Sequence, residues 1–124
     1  MVATLVFTDA ATQVFNDFMT CEVPGMMEQL AKPDELHFFY CSFNGPDELS
    51  RRVLVVADAS SPIVRVCIEA AYELFEGDIH YKVERIGTVD RSQLRSDFVP
   101  LLERAFDKLY NWRPTHDNIW DNVY

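Results

Sequence analysis

Residues 54–61 of this chain read LVVADASS and residues 5–12 read LVFTDAAT, so an apolar run leads into an Asp-Ala turn in both places. A second pair of similar stretches lies further along, where residues 35–38 read ELHF and residues 78–81 read DIHY. An internal repeat of this kind predicts a duplicated structural unit. Each copy reads as a strand, a turn, a helix and a second strand, which is the βαβ arrangement.

The first copy spans residues 1–43. The β-branched and apolar content of residues 2–8 predicts a strand, and Asp9 is a typical first residue of a helix. We expect Pro24-Gly25 to break this helix. The aromatic run over residues 36–43 predicts the second strand of the unit.

The second copy spans residues 51–86 and begins with a strand over residues 51–57, which is expected to form a hairpin with the preceding strand. Pro62 suits the first position of a helix, because a missing N–H costs nothing there. Apolar residues then recur at helical spacing: Ile63, Val66, Cys67, Ala70, Ala71, Leu74 and Phe75. A last strand is predicted over residues 78–86.

The order of these elements predicts an α+β fold, the ferredoxin-like βαββαβ sandwich with an internally duplicated βαβ unit. Residues 90–124 add a C-terminal helical extension in which Pro100 is expected to start a new helix, followed by an aromatic tail. The length of 124 residues corresponds to one domain, residues 1–124.

Both faces of the predicted sheet carry apolar side chains. In the strand at residues 36–43, Phe38 and Tyr40 alternate with Phe39, Cys41 and Phe43. The two predicted main helices cover only one face, so the other face requires a second cover. Either the C-terminal helix or a second subunit docking sheet to sheet would supply it.

The composition restricts the class of partner. Eleven basic and 20 acidic residues give a net charge of −9, which disfavours binding to nucleic acid or to anionic lipid. No apolar run reaches the roughly 20 residues of a membrane span, and the N-terminus does not read as a secretory signal. A cytoplasmic protein fits this pattern. Three cysteines without close spacing indicate reduced thiols rather than a disulfide framework.

Two Asp–His pairs are candidate polar sites. In the predicted topology Asp9 approaches His80 and Asp58 approaches His37, and such a pair can orient an imidazole for general-base chemistry. The sequence favours a structural interpretation, with each Asp at the start of a helix. No ligand spacing indicates a metal, and no motif indicates a cofactor or a catalytic nucleophile.

The sequence therefore favours a small, acidic, non-catalytic protein-interaction module, as a homodimer or as a subunit of a larger assembly. Its expected contact residues are an acidic stripe and an aromatic tail: Glu69, Glu73, Glu76, Trp112, Ile119, Trp120 and Tyr124. One alternative is a small enzyme or ligand-binding protein of the dimeric ferredoxin-like type. Its polar groups would be the two Asp–His pairs and Tyr40. A second alternative is an acidic inhibitor of a basic or nucleic-acid-handling protein.

Overall fold

The framework of the fold is a four-stranded sheet, with helices before and after it in the chain. The structure is a computed structural model, which describes residues 9–32, 34–44 and 48–111. The side chains of residues 9–12, 74 and 111 lie outside this description. The elements in chain order are helix α1 (Asp9–Asp17), a π-helical turn (Phe18–Glu22), helix α2 (Val23–Leu30), strands β1 (His37–Asn44), β2 (Ser50–Ala57), β3 (Ile63–Phe75) and β4 (Asp78–Asp90), a 3-10 turn (Arg91–Gln93) and helix α3 (Leu94–Asn111).

The sheet is an antiparallel meander whose strand order is β1-β2-β3-β4. The predicted α+β class holds, but the ferredoxin-like βαββαβ topology is wrong, because no helix separates any of these strands. The hairpin expected between the aromatic strand and the next one is confirmed, with His37 opposite Ala57 and Asn44 opposite Ser50. The predicted strand at residues 78–86 is also confirmed and continues to Asp90.

Residues 63–75 form strand β3, and the predicted helix is wrong. Val64, Val66 and Ile68 alternate and are all fully buried, while the same run also contains apolar residues at helical spacing. The β-branched side chains favour a strand, and β2 and β4 pair with β3 on both sides. The turn before it is tight, with Ser60 at a φ of 61°. The sequence of residues 63–75 fits both the strand period and the helix period, and pairing with the neighbouring strands favours the strand.

The N-terminal helical region is described from Asp9 to Leu30, and the helix predicted after residue 8 is present. The predicted break at Pro24-Gly25 is wrong. Pro24 lies in the first turn of α2, directly after the π-helical turn, where a missing N–H is tolerated. The strand predicted over residues 2–8 lies outside the described residues.

Helix α3 runs through Pro100 without ending, so the predicted new helix start is also wrong. A proline inside a helix costs about 3 kcal/mol, but α3 buries an apolar stripe that offsets this cost: Leu94, Phe98, Leu101, Leu102, Ala105, Phe106 and Leu109. Gly87 of β4 allows close packing here, since a Cβ atom on it would lie 2.8 Å from a methyl group of Leu101.

All three helices pack on the same face of the sheet, called the covered face below. Phe106 of α3 joins the layers, with its ring centroid 4.9 Å from Phe15, 5.7 Å from Phe18 and 5.9 Å from Phe43. The C-terminal helix therefore does not cover the second face, which was one of the two expected covers. It shares the first face with the N-terminal helices.

Arg91 ties the end of α2 to the turn between β2 and β3. Its guanidinium donates to the carbonyl oxygens of Leu30, Lys32 (3.0 Å) and Asp58 (2.8 Å), and its Nε donates to Ser61 (2.6 Å). Carbonyls at a helix end lack partners within the helix, so a side chain that binds them stabilises the end. This contact fixes how the helical region meets the sheet.

Candidate functional site

The predicted Asp9–His80 pair is not assembled by the described sheet. The expected contact depended on the first and last strands of a ferredoxin-like sheet being neighbours, whereas the observed strands follow one another in order. His80 instead stacks on Tyr72, with ring centroids 5.6 Å apart, and its Nε2 lies 2.9 Å from Oδ2 of Asp78. The side chain of Asp9 lies outside the described residues.

The other pair, Asp58 and His37, is close in the backbone but its members have different partners. His37 is opposite Ala57, the residue before Asp58, and its side chain is buried. Its Nε2 lies 3.7 Å from Oε2 of Glu35. Asp58 instead pairs with Arg65 at 3.2 Å. His37 therefore does not form the expected pair with Asp58.

The buried thiols are poor nucleophiles. Burial, and to a smaller extent the Glu22 carboxylate, raise the pKa of Cys41 to about 12. Burial also raises the pKa of Cys67, against the opposing effect of Arg65 and Arg85. Because both pKa values are raised, both thiols are protonated at neutral pH. The thiolate is the reactive form, so both cysteines react slowly. Within the described ranges, no three His, Cys, Asp or Glu side chains come together as a possible metal site.

The second face of the sheet, called the open face below, has no helix of the described chain on it. Its side chains form three rows across the strands, read from the register: Phe38, Val56, Arg65 and Thr88; Tyr40, Leu54, Cys67 and Arg85; Ser42, Arg52, Glu69 and Val83. Ile79 and Tyr81 extend the face along β4 beyond these rows. The alternation predicted for β1 is confirmed by this register.

Large apolar side chains on the open face are accessible to solvent. The exposed fractions are 56% for Phe38, 55% for Tyr40 and 58% for Tyr81. Between these aromatic groups, Leu54, Cys67 and Val83 form a small cluster of buried side chains, separate from the main core. Exposed aromatic groups around an apolar centre are typical of a surface that binds another protein.

The charged side chains on the open face and its margin are equal in number for the two signs: Arg52, Arg65 and Arg85 against Asp58, Glu69 and Glu73. Arg52 lies 3.8 Å from Glu69 and also over the ring of Tyr40, with the guanidinium carbon 5.4 Å from the ring centroid. Arg65 pairs with Asp58 at the margin of the face. Cation–π contacts and ion pairs of this kind hold long side chains flat against a sheet. The open face therefore carries no excess of negative charge, although the chain has a net charge of −9.

The predicted acidic stripe is not on a helix. Glu69 and Glu73 lie on the open face of β3, and Glu76 lies in the turn between β3 and β4. Glu69 is paired with Arg52, and the Glu73 carboxylate accepts a hydrogen bond from the Gly77 N–H at 3.4 Å. The predicted tail contacts, which are Trp112, Ile119, Trp120 and Tyr124, lie outside the described residues.

Sequence reasoning identified a second apolar face but omitted Phe38, Ile79 and Tyr81 from the candidate contact residues. The alternation of Ile79, Tyr81 and Val83 was the signal that could have placed them there.

No family model, curated protein or solved structure matches this chain. In the described part of the chain, every helix is too short or too polar to cross a membrane.

Proposed function

We propose that this chain is a non-catalytic protein-interaction module that binds a second copy of itself through the open face. The observation that carries the proposal is that helices cover one face of the sheet and not the other. Three helices pack on the covered face, while Phe38, Tyr40 and Tyr81 on the open face are each more than half exposed. A second open face offers matching apolar and aromatic groups.

The size of the open face supports this proposal. Neighbouring strands are about 4.8 Å apart and each residue extends a strand by about 3.3 Å, so four strands of 8 to 13 residues span roughly 500 to 650 Å² in projection. Projecting side chains make the accessible area larger than this projected area. A stable dimer buries about 800 Å² on each partner. Most of the open face would therefore be used in a sheet-to-sheet contact.

The charge of the open face also favours a second copy over a basic partner. A basic protein would require a negative patch, whereas Glu69 and Asp58 already have arginine partners. Two copies of a neutral face can meet without strong repulsion, because charges elsewhere on the chains are screened beyond about 10 Å at ordinary ionic strength. The acidic remainder of the surface then keeps the dimer soluble.

Light scattering on the purified chain tests the proposal. We expect a mass of twice the 14.4 kDa chain, and we expect Tyr81→Arg to raise the dissociation constant about 30-fold, the loss typical of a buried interface tyrosine. Gln29→Arg is the matched control, because it adds the same charge at an exposed position of α2 and should leave the dimer intact.

Circular dichroism of each variant shows whether its sheet is retained. Raising the salt concentration should not dissociate the dimer, because the proposed contact is apolar and its charges are balanced. A wild-type chain that stays monomeric at 100 µM contradicts the proposal. Dissociation by salt alone also contradicts it and favours a charge-driven contact.

A further inference from the structure

The two edges of the sheet differ in how they are protected. An edge strand has backbone N–H and C=O groups that can pair with another chain, and proteins usually block them with charged residues, proline or bulges. Strand β4 carries Lys82, Glu84 and Arg85 and shows two register shifts along its pairing with β3. These are the usual protective features, so β4 is a poor site for an added strand.

Strand β1, at the other edge, has none of these features. Its eight residues, HFFYCSFN, include no Lys, Arg, Asp, Glu or Pro. Its register with β2 is regular from His37 to Asn44, without a bulge. Every second residue of such a strand directs its backbone groups away from the neighbouring strand. Among the described residues, β1 is the terminal strand on this side of the sheet.

A groove follows this edge. It has a volume of about 390 Å³ and is lined by Glu22, Met26, Phe38, Phe39 and Tyr40. The first two residues belong to the helical region and the other three to β1, so the groove lies between a helical wall and a strand edge. Grooves of this composition accept extended peptides by β-strand addition, in which main-chain hydrogen bonds supply affinity and pockets supply specificity.

We propose that the outer edge of β1 binds an extended segment of a partner protein as an added strand, with an apolar side chain in the groove and a Lys or Arg side chain beside Glu22. The main-chain groups of β1 would pair with the segment, and Met26 and Phe39 would contact its apolar side chain. The groove shares Phe38 and Tyr40 with the open face, whereas Glu22, Met26 and the main-chain edge of β1 lie outside the proposed dimer contact. The inference therefore does not depend on the dimer and stands even if the chain is a monomer.

Charge favours a basic segment over a second copy of β1 as the occupant. Glu22 lies near enough to Cys41 for its carboxylate to raise the pKa of that thiol, which places the charge beside the middle of the strand. An antiparallel pairing of two β1 strands about a twofold axis would bring two Glu22 carboxylates towards each other. A segment carrying Lys or Arg would instead be attracted to that position.

A labelled peptide provides the test. The probe is the fluorescein-labelled peptide TVTKTVT, which when extended places its valines and its lysine on one side, as the groove and Glu22 require, and its threonines on the other. We expect saturable binding by fluorescence anisotropy. Two further probes carry N-methyl groups on the amides of positions 2, 4 and 6, or of positions 3, 5 and 7. An added strand uses only alternate amides, so one probe should lose at least tenfold in affinity and the other should bind as before.

Variants of the protein locate the peptide. Glu22→Gln should weaken binding about two- to fivefold, the loss expected for one exposed ion pair. Glu28→Gln is the matched control, because Glu28 is also exposed on the helical region but lines a different groove, and it should have no effect. Tyr81→Arg should also leave peptide binding unchanged, which separates this surface from the dimer contact.

Three results would overturn the inference. The first is the absence of saturable binding at millimolar peptide, which would indicate that the edge is closed to a new strand. The second is an equal loss with both methylated probes, because side-chain contacts alone would then explain the affinity. The third is binding that still requires dilution in Tyr81→Arg, whose open-face dimer is weakened, because a second copy would then occupy the edge itself.

Discussion

The covered face and the open face of the sheet are made by alternate residues of the same strands. Val53 and Val55 of β2 point to the covered face and are fully buried, while Arg52 and Val56, which alternate with them, point to the open face. Strand propensity cannot explain the difference, because both sets belong to one backbone. The helices decide it, since all three pack on one side and leave the other side without a helix among the described residues.

Phe106 on the covered face offers the largest expected effect. Phe106→Ala should lower the free energy of unfolding by about 3–5 kcal/mol, because the ring is 1% exposed and contacts Phe15, Phe18 and Phe43. Urea denaturation followed by circular dichroism measures the loss. Phe106→Leu keeps most of the volume and should cost less. A loss below about 1 kcal/mol for Phe106→Ala would contradict the packing of α3 described above.

A pair of adjacent valines compares the faces directly. Val55→Ala should lower the free energy of unfolding by about 2–3 kcal/mol, and Val56→Ala by about 1 kcal/mol or less, measured at concentrations where the chain is monomeric. Both substitutions remove one β-branched side chain from β2, so the loss of strand propensity is matched. Equal losses would show that the two faces are equally covered in the monomer.

The three thiols sharpen the same comparison. At pH 9 we expect alkylation by iodoacetamide to be fastest at the exposed Cys21, slower at Cys67 on the open face, and slowest at Cys41 on the covered face. A pKa of about 12 leaves Cys41 roughly one part in a thousand thiolate at this pH. Peptide mapping by mass spectrometry measures the three rates.

The denatured chain is the control, in which the three rates should be similar. Tyr81→Arg should accelerate the alkylation of Cys67, because an open face without a partner is more accessible. Native-state alkylation of Cys41 as fast as that of Cys21 would contradict the burial of β1 against the helices.

The repeated stretches show where sequence reasoning succeeded and where it failed. Asp9 lies in a helix, as predicted, but Asp58 follows the end of β2, and its turn leads into another strand. The side chains after Asp58 fit either period, and their pairing with β2 and β4 favours the strand. The ferredoxin-like prediction depended on that one helix, so a single wrong period changed the topology. A local likeness of sequence therefore did not imply the same local structure.

Other predictions were reliable because a strong local pattern determined them. The aromatic run of β1, its hairpin with β2 and the strand at residues 78–86 are all confirmed. The prediction at Pro100 failed because the burial of Phe98, Leu102 and Phe106 outweighs the cost of one proline in the helix. Local rules describe backbone preference, whereas burial of a whole helix face acts over longer distances.

By itself, the sequence determined the α+β class, the alternation along β1, and the presence of apolar residues on both faces of the sheet. Alternation and β-branched content are local properties, so they can be read from neighbouring residues. Only the tertiary structure decided the strand order, the strand conformation of residues 63–75 and the choice of face for α3. These depend on contacts between residues far apart in the chain, such as Phe15 with Phe106, and those contacts leave the open face and the β1 edge exposed.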